Sequence, residues 1–241
     1  MSAHRFVIDR PAAIGDIVTL RGDEARHARV RRLAVGEAVA LFDEQGHSCL
    51  GEVSAIGRDQ IAIRVTAVRP RDDGESPLDL TLAIGILKAD KLDWVIEKAT
   101  ELGATRIQPF ASAHTVAQPS AARQTRWQQI ARAATKQCGR SRVPAVAPPC
   151  DLAAVLQQPA ASLLLLAEHG DTAPLAAVDA AGPLLLIVGA EGGFSPAELD
   201  AARAAGAHLI GLGRRILRAE TAAVTAVALC QSRWGDLGTS T

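Results

Sequence analysis

"LLLIVGAEGGFSPAELD", residues 184–200, decides how this chain is read. Leu184 to Val188 is an apolar run bounded by Pro183 and Gly189, the pattern of a short buried strand. Ser195, Pro196 and Glu198 form a helix start, with Ser as N-cap, Pro in the first helical position and Glu at the capping-box position. Gly206 would end that helix. The glycine-rich loop 189–194 therefore joins the carboxyl end of a strand to a helix, the usual ligand position in an open α/β sheet. It is not a phosphate loop, because no Lys follows the glycines, and Gly189, Gly192 and Gly193 lack the dinucleotide spacing. The loop also carries Glu191, whose carboxylate would repel a phosphate. It suits a neutral or cationic ligand packed against bare backbone, where a side chain at Gly193 would intrude. A plain strand-to-helix turn with a solvated Glu fits the same residues.

Moving outward, the same logic recurs. In "GLGRRILRAETAAVTAV", residues 211–227, a strand ends at Leu212 and a loop bearing Arg214, Arg215 and Arg218 enters a helix. The helix dipole disfavours arginine there, so an anion or a demand for the guanidinium fork is expected to hold it. Glu220 falls in the first helical turn, where an acid is favoured on dipole grounds alone. Ala222 and Ala223 are small enough for close backbone approach. A third strand end, "LLLLAEHG", brings Glu168 and His169. Strands at 80–86, 106–110, 162–167, 184–188 and 208–212 alternate with helices at 90–102, 123–138, 196–205 and about 220–233. Such alternation predicts a mostly parallel sheet covered on both faces.

Residues 1–70 are different. Five short strand-like runs, with turn signals such as "DEQG" (43–46) and "GRDQ" (57–60) and one helix near 23–31, make a small β-barrel pattern. "RPRDDGESP", 69–77, reads as the linker. The expected domains are 1–72 and 73–241.

Composition narrows the function. The chain has 241 residues and zero formal net charge, so overall charge announces no nucleic acid. Phe and Trp are few and Tyr is absent, which argues against a base-stacking RNA platform. The four Cys and six His are dispersed, giving neither a disulfide frame nor a metal site. Without an apolar signal core or a run long enough to span a bilayer, a cytoplasmic protein with no membrane and no metal is expected. Local charge is more telling. "RQTRWQQIARAATKQCGRSR", 123–142, contains no acid, and Arg132, Lys136 and Arg140 fall on one helical stripe. "RHARVRR", 26–32, adds Arg26, Arg29, Arg31 and Arg32. Either these seven residues contact an RNA backbone, or they form a solvated face balanced by acids such as Asp93, Glu97 and Glu101.

"GAEGGFSPAEL" (189–199), "LGRRILRAETAA" (212–223), "KADKLDWVIEKATELGATRIQPF" (88–110) and "RWQQIARAATKQCGRSRVP" (126–144) resemble the RsmE family of ribosomal RNA uridine N3-methyltransferases, and "RHARVRRLAVGE" (26–37) fits its N-terminal portion. The resemblance covers nearly the whole chain, with one departure: Ala190 stands where the family usually has Pro. It implies a SPOUT-type α/β domain with a deep trefoil knot, a PUA-like β-barrel in front of it, and a homodimer. It implies S-adenosylmethionine as cofactor, a sulfonium cation without phosphate, which would tolerate the carboxylate of Glu191. Gly189, Gly192 and Gly193 would form one wall of its pocket, Leu212, Gly213, Ile216 and Leu217 another, and Leu166 and Glu168 a third, with Ala222 close by.

The implied acceptor is N3 of a uridine in 16S rRNA near the decoding centre, within the small ribosomal subunit. Loss of the N3 proton puts negative charge on O2 and O4. Arg218 would stabilise that charge, with Glu220 a weaker candidate for proton acceptor. N3 lies on the pairing edge, so the base must be unpaired or flipped out. Two other readings remain open from sequence: a related methyltransferase acting on another rRNA or tRNA position, and a non-catalytic RNA-binding assembly factor.

Overall fold

A computed structural model describes residues 4–113, 115, 120–167 and 172–238. The chain divides into two compact units, Met1–Glu75 with Thr135–Val143, and Ser76–Ala134 with Pro144–Thr241. The sequence alone places Thr135–Val143 with the second region; in the structure this excursion joins the first.

The first unit holds β1 (His4–Val7), β2 (Ile17–Leu20), α1 (Gly22–Val30), β3 (Ala38–Phe42), β4 (Ser48–Ile56) and β5 (Ile61–Val68). Its sheet has the order β1-β3-β4-β5-β2. β1 and β3 are parallel and the other pairs antiparallel. Alternate residues of β5 turn inward, so Ile61, Ile63 and Val65 are buried while Arg64 and Thr66 are exposed. Register shifts at Leu50/Gly51 and Val53/Ala55 bend β4 and curl the sheet. Phe6, Leu41, Val39, Val53 and Ile63 fill the interior of the curl.

The excursion is held by ions. The Arg140 guanidinium is buried against Glu75, with NH2 to Oε2 at 2.7 Å. The other oxygen of Glu75 accepts the backbone N–H of Ser141 and of Arg142, each at 2.8 Å. Lys136 donates to both oxygens of Glu24, at 2.8 and 2.9 Å. Arg142 pairs with Asp72.

The second unit runs β6 (Leu80–Gly85), α2 (Ala89–Glu101), β7 (Arg106–Ala111), α3 (Ala121–Cys138, its last turn in the first unit), β8 (Ala145–Val146), β9 (Cys150–Asp151), α4 (Leu152–Leu156), β10 (Ser162–Leu166), β11 (Ala173–Pro174), β12 (Leu184–Val188), α5 (Pro196–Ala204), β13 (His208–Gly211) and α6 (Ala219–Trp234). The sheet order is β11-β13-β10-β12-β6-β7-β8, with β9 also on β7, and every pairing is parallel. Parallel strands need crossovers, and the intervening helices cover both faces. Leu185 and Ile187 of β12 join a core with Val155 of α4 and Ala202 of α5. On the other side α6 lies on β12 and β6 and packs against α2. All five residues of β12 are buried, which explains an uninterrupted apolar run rather than an alternating one. On α2, Leu92, Val95, Ile96 and Ala99 are fully buried. Their spacing is the helical stripe that a covering helix needs; each large member contributes about 1.5–3 kcal/mol of burial.

Candidate active site

The carboxyl ends of the adjacent strands β13, β10 and β12 open onto one cavity of about 350 Å³, a size usual for small-molecule sites. Leu166 and Ala167 follow from β10. Val188, Gly189, Ala190, Gly192, Gly193 and Phe194 come from the β12–α5 loop. Gly211 to Leu217, with Ala219 and Ala222, come from the end of β13 and the start of α6. Of the expected cofactor residues, Leu166, Gly189, Gly192, Gly193, Leu212, Gly213, Ile216, Leu217 and Ala222 line it. Glu168 and His169 lie outside the described residues.

The β12–α5 loop is fixed from three sides. At its far end Ser195 and Glu198 form the full capping box, Glu198 Oε2 accepting the Ser195 N–H at 2.8 Å, with Pro196 in the first turn. Near its start, a Cβ on Gly85 of β6 would stand 2.4 Å from the Ala190 nitrogen, so only glycine lets β6 pass under the loop. Phe194 stacks on Phe110 of β7, ring centroids 6.3 Å apart. A Cβ on Gly189 would in turn stand 3.1 Å from the Phe194 ring. The turn closes with Gly193 N–H donating to Ala190 C=O at 2.9 Å. Gly193 itself has φ +64° and open space around a notional Cβ. No protein atom crowds the position, and the left-handed backbone by itself favours glycine there, beside the ligand approach that the sequence suggests.

Glu191 also departs from expectation. It does not line the cavity. Its Oε1 lies 3.3 Å from Nζ of Lys91, in the first turn of α2, and Lys91 Nζ also lies 3.3 Å from Glu220 Oε2. The carboxylate that a cationic ligand was expected to excuse is thus neutralised by a lysine 100 residues away. Partial burial opposes ionisation of Glu191, but its own backbone N–H and Lys91 outweigh that and hold its carboxyl below the usual range. The Glu191 contact raises the Lys91 ammonium above the usual lysine value, against some desolvation and with Glu220 adding to it. Lys91 thereby ties the β12–α5 loop to the start of α6. The carboxylate of Glu220, the candidate proton acceptor, is thus engaged at its Oε2 by Lys91.

Arg218 is the N-cap residue of α6, with extended backbone and no side-chain cap. It is exposed, between the two lining residues Leu217 and Ala219. Among the described residues no group of His, Cys, Asp and Glu is placed to hold a metal ion, and no helix is long and apolar enough to cross a membrane.

The expected basic stripe is redistributed. Arg140 is 4% exposed and serves Glu75, and Lys136 serves Glu24. Neither offers its charge to a ligand, because each neutralises an acid of its own unit. Arg132 stays exposed on α3. On α1, Arg26 pairs with Asp23 at 3.0 Å, Arg29 donates to the carbonyls of Gly57 and Arg58, and Arg31 meets His27. Arg32 is exposed with φ +57°. Of the acids named as balancing partners, only Asp93 meets a residue of the basic 123–142 stretch, while Glu97 and Glu101 serve their own helix. Asp93 accepts Arg126 and the Trp127 indole N–H, at 2.7 and 3.0 Å, and Glu97 and Glu101 accept Lys98.

A cavity walled by glycines and aliphatic side chains, with no phosphate-binding lysine, fits a cofactor held by backbone and apolar contact. Comparison with known proteins agrees. Residues 74–231 match the model of an RNA methyltransferase domain and residues 20–66 that of an RNA methyltransferase PUA domain. Fold and site thus define an RNA methyltransferase with a PUA-type N-terminal domain. The chain is 33% identical to the ribosomal RNA small subunit methyltransferase E of Mycobacterium bovis, covering 97% of this chain and 94% of that protein. It is 28% identical to the Bacillus subtilis protein of the same name, over 87% of this chain and 88% of that one. The crystal structure of the Neisseria gonorrhoeae methyltransferase E, bound to S-adenosylmethionine, superposes with TM-score 0.90 at 32% identity, covering 97% and 99% of the two chains. A Legionella pneumophila methyltransferase in complex with the same cofactor gives 0.88 at 28%, covering 98% and 100%. The chain belongs to the ribosomal RNA small subunit methyltransferase E family, the RsmE family.

Proposed function

We propose that this protein uses S-adenosylmethionine to methylate N3 of a uridine in 16S rRNA, near the decoding centre and within the small ribosomal subunit, in the cytoplasm. The observation that carries the reading is the cavity at three parallel strand ends, walled by Gly189–Phe194 and Gly211–Leu217, in a chain related over almost its full length to the family. When bound, the cofactor supplies an electrophilic methyl group on sulfur. Its adenosine would be held by the apolar and backbone lining at Leu166, Gly189, Gly193, Leu212 and Ile216.

The protein's own work is at the acceptor. A uracil N3 becomes nucleophilic only as its proton leaves, and the charge then sits on O2 and O4. Arg218 is placed by the helix start and has no carboxylate partner among the described residues. It offers a planar two-point donor to that charge as it develops. Glu220, in the first turn of the helix, is paired with Lys91. RNA would be approached through Arg31, Arg32 and Arg132, exposed members of the expected basic set.

A homodimer belongs to the same reading. The alanine face of α6 is used inside the chain, with Ala222, Ala223, Ala226 and Cys230 buried. The apolar remainder that could meet a second copy is Leu229 on α6 and Trp94 on α2, each 42% exposed.

The test is direct. Ribosomal RNA from a strain lacking the protein should lose one 3-methyluridine, seen by mass spectrometry of 16S fragments. Purified protein with the cofactor should restore it. A methyl group restored at another atom or in another RNA would refute the assignment.

A further inference from the structure

Charge accounting in the second unit leaves one anomaly. Several of its basic residues meet acids: Lys91 with Glu191 and Glu220, Lys98 with Glu97 and Glu101, Arg126 with Asp93, Arg203 with Asp200. Arg214 and Arg215 do not. Both are exposed, both line the cavity, and neither has a hydrogen-bond or ionic partner among the described residues. They are the only charged side chains among the described cavity-lining residues, since Glu191 has turned to Lys91. The loop they occupy leads into the amino end of α6, where the helix dipole adds positive potential rather than cancelling it.

This rests on the reading of the cavity as an S-adenosylmethionine site, and there the anomaly sharpens. That molecule carries a sulfonium, an ammonium and one carboxylate, a net positive charge. Two uncompensated guanidiniums in its lining oppose its binding. The donor's single carboxylate, already balanced by its own ammonium, does not remove the excess. A polyanion arriving from outside would. Arginine forks suit a phosphodiester in both charge and geometry.

We propose that Arg214 and Arg215 grip a phosphodiester of the RNA strand that bears the target base. This phosphate is a counter-ion that none of the described cavity-lining residues supplies, so RNA and S-adenosylmethionine bind with positive coupling. Coupling of this kind is reciprocal: each ligand tightens the other by the same factor. RNA recognition at the site then comes from the cofactor loop itself, while Lys136 and Arg140, the basic residues most prominent in the sequence, stay engaged inside the first unit.

The experiment uses the full chain, S-adenosylmethionine, and a single-stranded ten-residue oligouridylate as probe. Calorimetry measures cofactor affinity with and without saturating oligonucleotide, and a salt series measures oligonucleotide affinity. For the unaltered protein the oligonucleotide should tighten cofactor binding by about fivefold or more. In Arg214→Gln/Arg215→Gln that coupling should vanish, and cofactor affinity without RNA should be unchanged or better. The slope of log affinity against log salt should shrink by about 0.7, one phosphate contact on a single strand. Arg214→Lys/Arg215→Lys keeps the charges and should retain most of the slope, which separates lost contact from lost folding. Weaker cofactor binding in the Gln variant without RNA, at unchanged salt slope, would overturn the proposal and give the two arginines to the cofactor's carboxylate. A reduced slope with no coupling in the unaltered protein would overturn the counter-ion role. All these readouts are of binding, so a failure to find 3-methyluridine formation would sink the proposed function separately.

Discussion

Arg218 stands at a helix entrance that electrostatics disfavours, without a capping bond or an ionic partner among the described residues. A position held against the helix dipole needs a reason outside the helix, and a uracil anion supplies one. Only contacts that strengthen in the transition state raise the rate of the bound complex. Arg218→Ala or Arg218→Lys should therefore lower kcat by about 100-fold or more, with cofactor affinity little changed; single-turnover methylation at saturating enzyme and cofactor measures it. A near-normal rate would remove Arg218 from the chemistry. Gly193 offers a second test. Its φ of +64° is open to glycine, and space around it is free, so Gly193→Val should act through strain of about 1–2 kcal/mol. Cofactor affinity should fall by roughly tenfold without a change in the salt dependence of RNA binding. The glycine was legible in the sequence as a requirement, but its cause was not. Close ligand approach and a left-handed backbone both call for glycine, and only the second is visible in the backbone itself. Glu191 was legible as a puzzle for the same reason: its partner lies 100 residues away in the chain.

Among the elements, those with a long apolar run or a complete cap could be read directly. The five strands of the first unit, β6, β7, β10, β12 and β13 appear within a residue or two of their expected limits, as do α2, α3, α5 and α6. The pieces β8, β9, β11 and α4 were not visible, being two to five residues long, too short for periodicity to register. The basic stripe of α3 shows a different limit. Helical spacing was right, but a stripe of charge does not say whether it faces water or acids. Because the Arg140–Glu75 pair is buried, Glu75→Ala should cost the first unit about 3–5 kcal/mol, read as a lowered urea midpoint. Arg140→Ala should do the same. An Arg140→Ala protein of normal stability but flattened salt dependence in RNA binding would restore that residue to an RNA interface. Lys91 links two elements through half-exposed ion pairs. Lys91→Met should weaken cofactor binding by roughly threefold to tenfold, because the β12–α5 loop and the start of α6 lose their common anchor. Lys91→Arg should recover part of it; equal affinity in all three proteins, by calorimetry, would argue that Lys91 anchors nothing.

For the whole molecule, alternating strands and helices announced a parallel sheet, but not its order. Periodicity marks which residues are buried and is silent on which strand lies beside which. The proposed dimer belongs at this scale. Leu229→Glu places a charge in the apolar remainder of α6 and should convert a dimer to monomers in sedimentation, with loss of activity; a fully active monomer of the unaltered protein would refute the assembly. The strand order carries one more consequence. β12 pairs with β10 on one side and β6 on the other, yet it is made after both. While the chain is being synthesised, residues 80–85 and 162–166 emerge from the ribosome with a gap between them that only residues 184–188 can fill. Until then two long apolar strands present open edges, the kind of surface on which chains aggregate. The walls of the cavity from Gly211 onward come later still. The nascent polypeptide thus passes through an interval in which most of its mass exists, its sheet is unsealed and its cofactor has no place to bind. That interval, rather than the finished protein, is where a chaperone would be needed.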